Sequence, residues 1–136
     1  MSKPIPAIRK YMTTAPHSIG VDQTLGRAHT MMREHHIRHL PVLSGGRLVG
    51  IVTERDLHLV ETMAGVDPHK VKVDEAMSSN VYAVPPDAPL DEVAREMAEH
   101  RYGCVVVMDH DTVVGIFTSV DAARTLAELL HPLLHA

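Results

Sequence analysis

The sequence predicts an α/β fold: two tandem repeats, each β-α-β-β-α, packed with pseudo-twofold symmetry into one disc-like module. Three observations carry this reading. The chain aligns with itself at an offset of 65, so that Met12 falls on Met77 and Asp56 on Asp121. Each copy holds a stretch of helical periodicity, and each then holds two apolar runs separated by a turn-forming stretch, the pattern of a β-hairpin. The ungapped alignment from Met12 to Leu57 spans 46 residues and contains 12 identities, where ordinary composition gives roughly three by chance. With only two copies and a long period, the pattern is a paired duplication rather than a solenoid array.

The elements follow in order. A short apolar stretch opens each copy, SIGV at 18–21 and YAV at 82–84. Asp22 or Thr24, and Asp87, offer N-cap oxygens for the next helix. That helix places Leu25, Ala28 and Met32 on one face, matched by Leu90, Val93 and Met97, in steps of three and four. His35 and His100 fall at its C-terminal end, where the dipole favours them. A buried strand follows, LPVL at 40–43 or CVVVM at 104–108. The turns SGGR (44–47) and DHDT (109–112) are rich in residues that tolerate positive φ or form Asx turns. The return strands are LVGIVT (48–53) and VVGIFT (113–118), and a last helix starts at Glu54 or Ser119. Gly65 and Pro68 end the first copy's last helix, and Pro132 limits the second's. The repeats are assigned to 8–64 and 73–130, with 65–72 as linker. A unit of about 60 residues is marginal alone, so the pair is expected to share a core.

Composition bounds the rest. Of 136 residues, 45% are hydrophobic and only 3% aromatic, so aliphatic side chains and Met fill the interior. Thirteen basic residues against 17 acidic ones give a net charge of −4, which argues against direct nucleic-acid binding. The single Cys, Cys104, heads an apolar strand and reads as a buried inert thiol rather than a nucleophile. Lacking a signal-like N-terminal run or about 20 consecutive apolar residues, the chain is expected to be soluble and cytoplasmic, without membrane contact.

Two readings attach to the repeated Thr-x-x-Asp, Thr53 to Asp56 and Thr118 to Asp121. The first is a capping box: a Thr oxygen accepts from a first-turn amide, and the acid suits the helix dipole. The second uses the same place as a ligand site. Free amides and the positive dipole end attract phosphate, while a carboxylate one turn in accepts from two ribose hydroxyls. Arg55 adds a guanidinium that binds phosphate bidentately, or it is a solvated first-turn residue.

The pattern resembles a pair of CBS domains, named after cystathionine β-synthase. The residues carrying it are M-T-x-x-P (Met12 to Pro16), HIRHLPVL (36–43), GRLVGIVTERDL (46–57), EAMSS (75–79) and VVGIFTSVD (113–121). The resemblance covers about residues 8–130 and implies a regulatory, non-enzymatic module. Its ligand would be adenosine-containing: AMP, ADP or ATP, with NAD(H) or S-adenosylmethionine as further options, held in clefts between the repeats. It also implies a homodimer with a protein effector not identified by the sequence. Carried over residue by residue, one cleft would hold Thr118, Ser119 and Asp121 with Ile37, Arg38 and His39, closed near Thr14 to His17. The other would hold Thr53, Arg55 and Asp56 with Tyr102, Gly103 and Cys104, closed near Ser79 to Tyr82. The Asp56 cleft is the better nucleotide site, because Arg55 supplies a cation and Gly103 allows close backbone approach.

His35, His36 and His39 cluster without convincing ligand spacing, so no metal site is expected. No nucleophile–base pair is framed by a motif, so no catalytic residue is assigned. Leu126, Leu129, Leu130, Leu133 and Leu134 make the tail apolar, as a dimer contact or a clasp over the core. The alternative to a sensor is a ligand-free interaction module that dimerises with empty clefts.

Overall fold

The computed structural model describes residues 4–135, except for the side chains of Leu134 and His135, and its chain divides into two units. One is Pro16–Val81. The other joins the segment ending at Ala15 to the stretch from Tyr82 onward. Among the described residues the protein is mixed α/β, with four helices and two sheets.

In the Pro16–Val81 unit, β2 (Ile19–Gly20) lies parallel to β3 (His39–Ser44), which pairs antiparallel with β4 (Arg47–Thr53). Gly45 and Gly46 both take positive φ in the β3–β4 turn, a conformation that favours glycine. Helix α1 (Leu25–His35) buries Leu25, Ala28 and Met32, as its periodicity predicts. Thr24, not Asp22, is its N-cap, and the Thr24 hydroxyl oxygen accepts from the Arg27 amide at 3.2 Å. Helix α2 (Glu54–Glu61) stops at Thr62, ahead of Gly65. Leu40, Val42, Val52 and Leu57 complete this core with Val73, which arrives on a 3-10 turn, Val73–Glu75.

The second unit repeats the plan. Its sheet runs β1 (Thr13–Thr14), β7 (Thr112–Thr118), β6 (Cys104–Asp109), β5 (Ala83–Val84). Helix α3 (Leu90–His100) buries Leu90, Val93 and Met97. Its N-cap is Pro89, with no side-chain cap bond, so Asp87 does not cap this helix: it lies two residues before the position where an oxygen could reach the first-turn amides. Both hairpins carry a register shift at the same place, between Val42 and Leu43 and between Val107 and Met108. Helix α4 (Ser119–His135) continues through Pro132 instead of stopping there. Residues 126–133 are exposed, so water can take the carbonyl that Pro132 leaves without a donor.

Structural unit and sequence repeat do not coincide, because the leading segments are exchanged. Ile8, on a 3-10 turn (Ile8–Lys10), is fully buried with Leu90, Val105 and Phe117. Val73, at the matching position 65 residues on, is fully buried in the other core. Each such burial is worth about 1.5–3 kcal/mol. Backbone pairing matches too: Thr13 registers with Ile116, and Ser78 with Ile51. The repeated glycine is explained by this exchange. A Cβ at Gly50 would meet Met77 Sδ at 2.6 Å and the Ser78 carbonyl oxygen at 2.8 Å; one at Gly115 would run into the Met12 side chain.

Candidate functional site

Each Thr-x-x-Asp sits where a strand turns into a helix, β4 into α2 and β7 into α4. Extended Thr53 (φ −115°, ψ 160°) lets its side chain turn back over the first turn of α2. Its hydroxyl oxygen accepts from the Asp56 amide at 3.1 Å, and Asp56 Oδ2 accepts from the Thr53 amide at 3.0 Å and the Thr53 hydroxyl at 2.8 Å. Thr118 and Asp121 repeat all three bonds, at 3.2, 2.9 and 3.2 Å in the same order. Both elements are complete capping boxes.

The first amide of each helix is also taken. Glu54 donates to the Arg38 carbonyl and Ser119 to the Gly103 carbonyl, both at 3.0 Å. With N1 and N3 occupied, the N2 amides, Arg55 and Val120, are the first-turn donors left to an anion. These bonds also place the base-lining candidates. Thr53 pairs with His39 across the β3–β4 ladder, beside Arg38 and half-buried Ile37; Thr118 pairs with Cys104, beside Gly103 and Tyr102. Within its own unit, then, each Thr-x-x-Asp neighbours the strand start of its own repeat.

The two carboxylates differ in what else they hold. Asp121 is 6% exposed, and both of its oxygens are engaged. Thr13 donates to them at 3.3 and 3.4 Å, and Arg124 donates to Oδ1 at 3.2 Å. Half-buried Asp56 uses Oδ2 alone; among the described residues nothing donates to its Oδ1. Arg55 beside it is exposed and makes no ion pair among the described residues. Thr13 and Arg124 were not singled out from sequence. The i, i+3 spacing of Asp121 and Arg124 was a readable signal, whereas the Thr13 contact depends on the exchanged segment.

Cys104 is partly buried, and loss of hydration pushes its thiol from 9.0 up to about 12. It is therefore protonated and unreactive at neutral pH. Tyr82 and Tyr102 meet with ring centroids 5.1 Å apart, and Tyr102 stacks on His100 at 5.2 Å. Burial first, then the charge of Glu96, raises the Tyr82 phenol. A cleft of about 630 Å³ beside Tyr82 is lined by Asp87, Glu92 and Glu96 against Arg95 alone, an acidic setting that disfavours phosphate.

His35 stacks on His17 at 3.6 Å, and His36 takes the left-handed C-cap of α1. Glu96, Glu99 and His100 have ligand atoms within 4.8 Å of one another on one exposed helix face, where Glu96 and His100 pair at 3.1 Å. Leu126, Leu129, Leu130 and Leu133 are 41–77% exposed, so they do not clasp the core; the Leu134 side chain lies outside the described residues. No helix among the described residues is long and apolar enough to cross a membrane.

The CBS domain family model matches residues 8–60 and 73–128. Hypoxic response protein 1 of Mycobacterium tuberculosis is 35% identical over 121 residues, covering 88% of this chain and 85% of that protein. Among solved structures, a putative acetoin utilization protein from Vibrio cholerae superposes with a TM-score of 0.87 at 30% identity, over 98% of both chains. The CBS domain pair of protein MJ0100, solved with 5′-methylthioadenosine and S-adenosyl-L-methionine, gives 0.83 at 30% identity, over 93% of this chain and 99% of that one. Two family matches on a duplicated chain, and relatives similar along nearly their whole length, show that the protein belongs to the CBS-domain family.

Proposed function

We propose that the chain is a regulatory sensor that binds an adenosine-containing nucleotide without turning it over, with Thr53–Asp56 as its principal ribose and phosphate reader. The observation that carries this reading is the unequal occupation of the two carboxylates. Asp56 keeps Oδ1 open to a ribose hydroxyl, with the Arg55 amide and guanidinium beside it, while Asp121 is filled by Thr13 and Arg124. The adenosine class is supported by the ligands of the MJ0100 pair. Base-lining residues are those the resemblance assigns: Tyr102, Gly103 and Cys104 for the Asp56 site, and Ile37, Arg38 and His39 for the weaker site of Thr118, Ser119 and Asp121. Exposed Leu126, Leu129, Leu130 and Leu133, spaced i, i+3, i+4, i+7 along α4, support a homodimer. Ligand shifts the repeats or the dimer only so far as it binds two arrangements unequally.

Calorimetric titration of AMP, ADP, ATP, NADH and S-adenosylmethionine, with light scattering before and after, tests the reading. Asp56→Ala is expected to remove charge-assisted bonds worth about 1.5–3 kcal/mol, roughly ten- to over a hundredfold in affinity. Asp121→Ala should leave that binding nearly intact. Unchanged binding in Asp56→Ala refutes the ribose role. A flat panel with a stable dimer favours the ligand-free interaction module.

A further inference from the structure

Helices α1 and α2 carry a polar cluster that neither the caps nor the nucleotide reading uses. His29 on α1 and Glu61 at the end of α2 meet with Nε2 and Oε2 2.7 Å apart. His58, one turn before Glu61, sets its ring edge-on to that of His29, with centroids 6.1 Å apart and planes at 79°. The other Glu61 oxygen, Oε1, is buried and has no hydrogen-bond partner among the described residues. A buried carboxylate oxygen without a donor is costly and calls for a partner. The His29 contact does not supply one, because it engages Oε2 alone.

We propose that His29, His58 and Glu61 form a binding site for a borderline divalent transition metal such as zinc. Two imidazoles and a carboxylate are donors that zinc accepts, and three protein ligands leave a fourth position for water. The His58-x-x-Glu61 spacing sets two ligands one turn apart on one face of α2, and His29 faces them from α1. At Zn–N distances of about 2.0–2.1 Å, two imidazoles on a tetrahedral ion hold their centroids roughly 5 Å apart. The present 6.1 Å is about an ångström wider, and the three residues' ligand atoms do not all lie within 4.8 Å of one another, so exposed His58 has to rotate inward to complete the site. The ion would enter between His29 Nε2 and the carboxylate, giving buried Oε1 a positive partner. A plain His29–Glu61 ion pair makes a different demand: it has no use for His58.

The test is metal uptake by the metal-stripped full chain. Co²⁺ is titrated first, followed through the visible d–d absorption of a tetrahedral centre, and Zn²⁺ then displaces it. With 11 His in the chain, weak background binding is expected, so the difference between variants is the readout. Wild type should take up one saturable equivalent. His58→Ala, a change at an exposed position that spares the His29–Glu61 pair, should weaken it at least about tenfold. Glu61→Gln should do the same, with His100→Ala unchanged as the control for the α3 cluster. Absence of saturable uptake, uptake unaffected by His58→Ala, or loss in His100→Ala instead, would each overturn the proposal.

Discussion

Replacing Asp121 with Ala should destabilise the protein more than replacing Asp56 with Ala, although both residues close the same capping box. Each truncation deletes the carboxylate half of a box, about 1 kcal/mol, and strands a Thr amide. At Asp56 water can reach the half-buried site and replace the lost acceptor, so the total stays at about 1–2 kcal/mol. Asp121 is 6% exposed, so its stranded amide is less easily hydrated. It also ties Thr13 on β1 to the start of α4, through bonds of 3.3 and 3.4 Å. Arg124 is 63% exposed, and solvent screening reduces its share to near zero. The sum for Asp121→Ala is about 2–3 kcal/mol, measured as the urea midpoint at constant slope. A second comparison isolates the tie. Ser78 is the repeat counterpart of Thr13, but its hydroxyl accepts from the Asn80 amide and does not reach Asp56. A double-mutant cycle of Thr13→Ala with Asp121→Ala should therefore show coupling of about 0.5–1 kcal/mol, and one of Ser78→Ala with Asp56→Ala none. Equal losses from the two Asp variants, or additivity in the Thr13 cycle, would refute the unequal wiring.

Two further outcomes follow from packing and from burial. Gly50→Ala should cost about 1–3 kcal/mol in urea unfolding, because its Cβ meets a fixed backbone oxygen of Ser78; Gly115→Ala should cost less, since the three atoms nearest its Cβ all belong to the Met12 side chain, which can move. Cys104 should alkylate with iodoacetamide at pH 8 at least about tenfold more slowly than in urea, because its thiol is pushed up to about 12, the smaller thiolate fraction outweighing the higher nucleophilicity of that thiolate. The sign of the linked stability change is fixed: the unfolded thiol ionises near 9.0 while the folded one stays protonated, so stability falls as pH climbs from 9 toward 12, and Cys104→Ala flattens that limb.

Periodicity made the helix faces and hairpins legible. Leu25, Ala28 and Met32 and their counterparts face the cores because steps of three and four leave no other common face, and the buried strands were continuous apolar runs. Other features have no such signature. The exchanged leading segments are 3-10 turns of three residues and a strand of two, too short to show any period, and their partners lie far along the chain. Asp87 looked like a cap because it matches Asp22, yet neither caps, since the cap position depends on where the chain first turns helical. Pro132 looked like a stop because sequence does not show whether water can reach the carbonyl a proline leaves free. At the site, Thr-x-x-Asp was legible as a capping box, and so was Arg55 as a cation that the second copy lacks; the filling of Asp121 by Thr13 was not, since that contact depends on the exchanged segment.

The difference between the copies can be located in three matched positions. The copies share Thr and Asp, and the shared part does the same work in both: it ends a strand and starts a helix. Where the first copy has Arg55, the second has exposed Val120. Where the first has exposed Leu59, the second has Arg124, now bonded to Asp121. Where Ser78 stays clear of Asp56, Thr13 reaches Asp121. The second copy thus moves its cation from before the carboxylate to one turn after it, where it donates to the carboxylate Oδ1. The first leaves both cation and carboxylate oxygen open to a molecule from solution. Capping accounts for what the duplication kept and exposure accounts for a solvated Arg55, but neither calls for an Asp56 Oδ1 that has no donor among the described residues. The ligand proposed above, carrying both phosphate and ribose hydroxyls, would use both groups, so the Asp56 element is the first place to test for nucleotide binding.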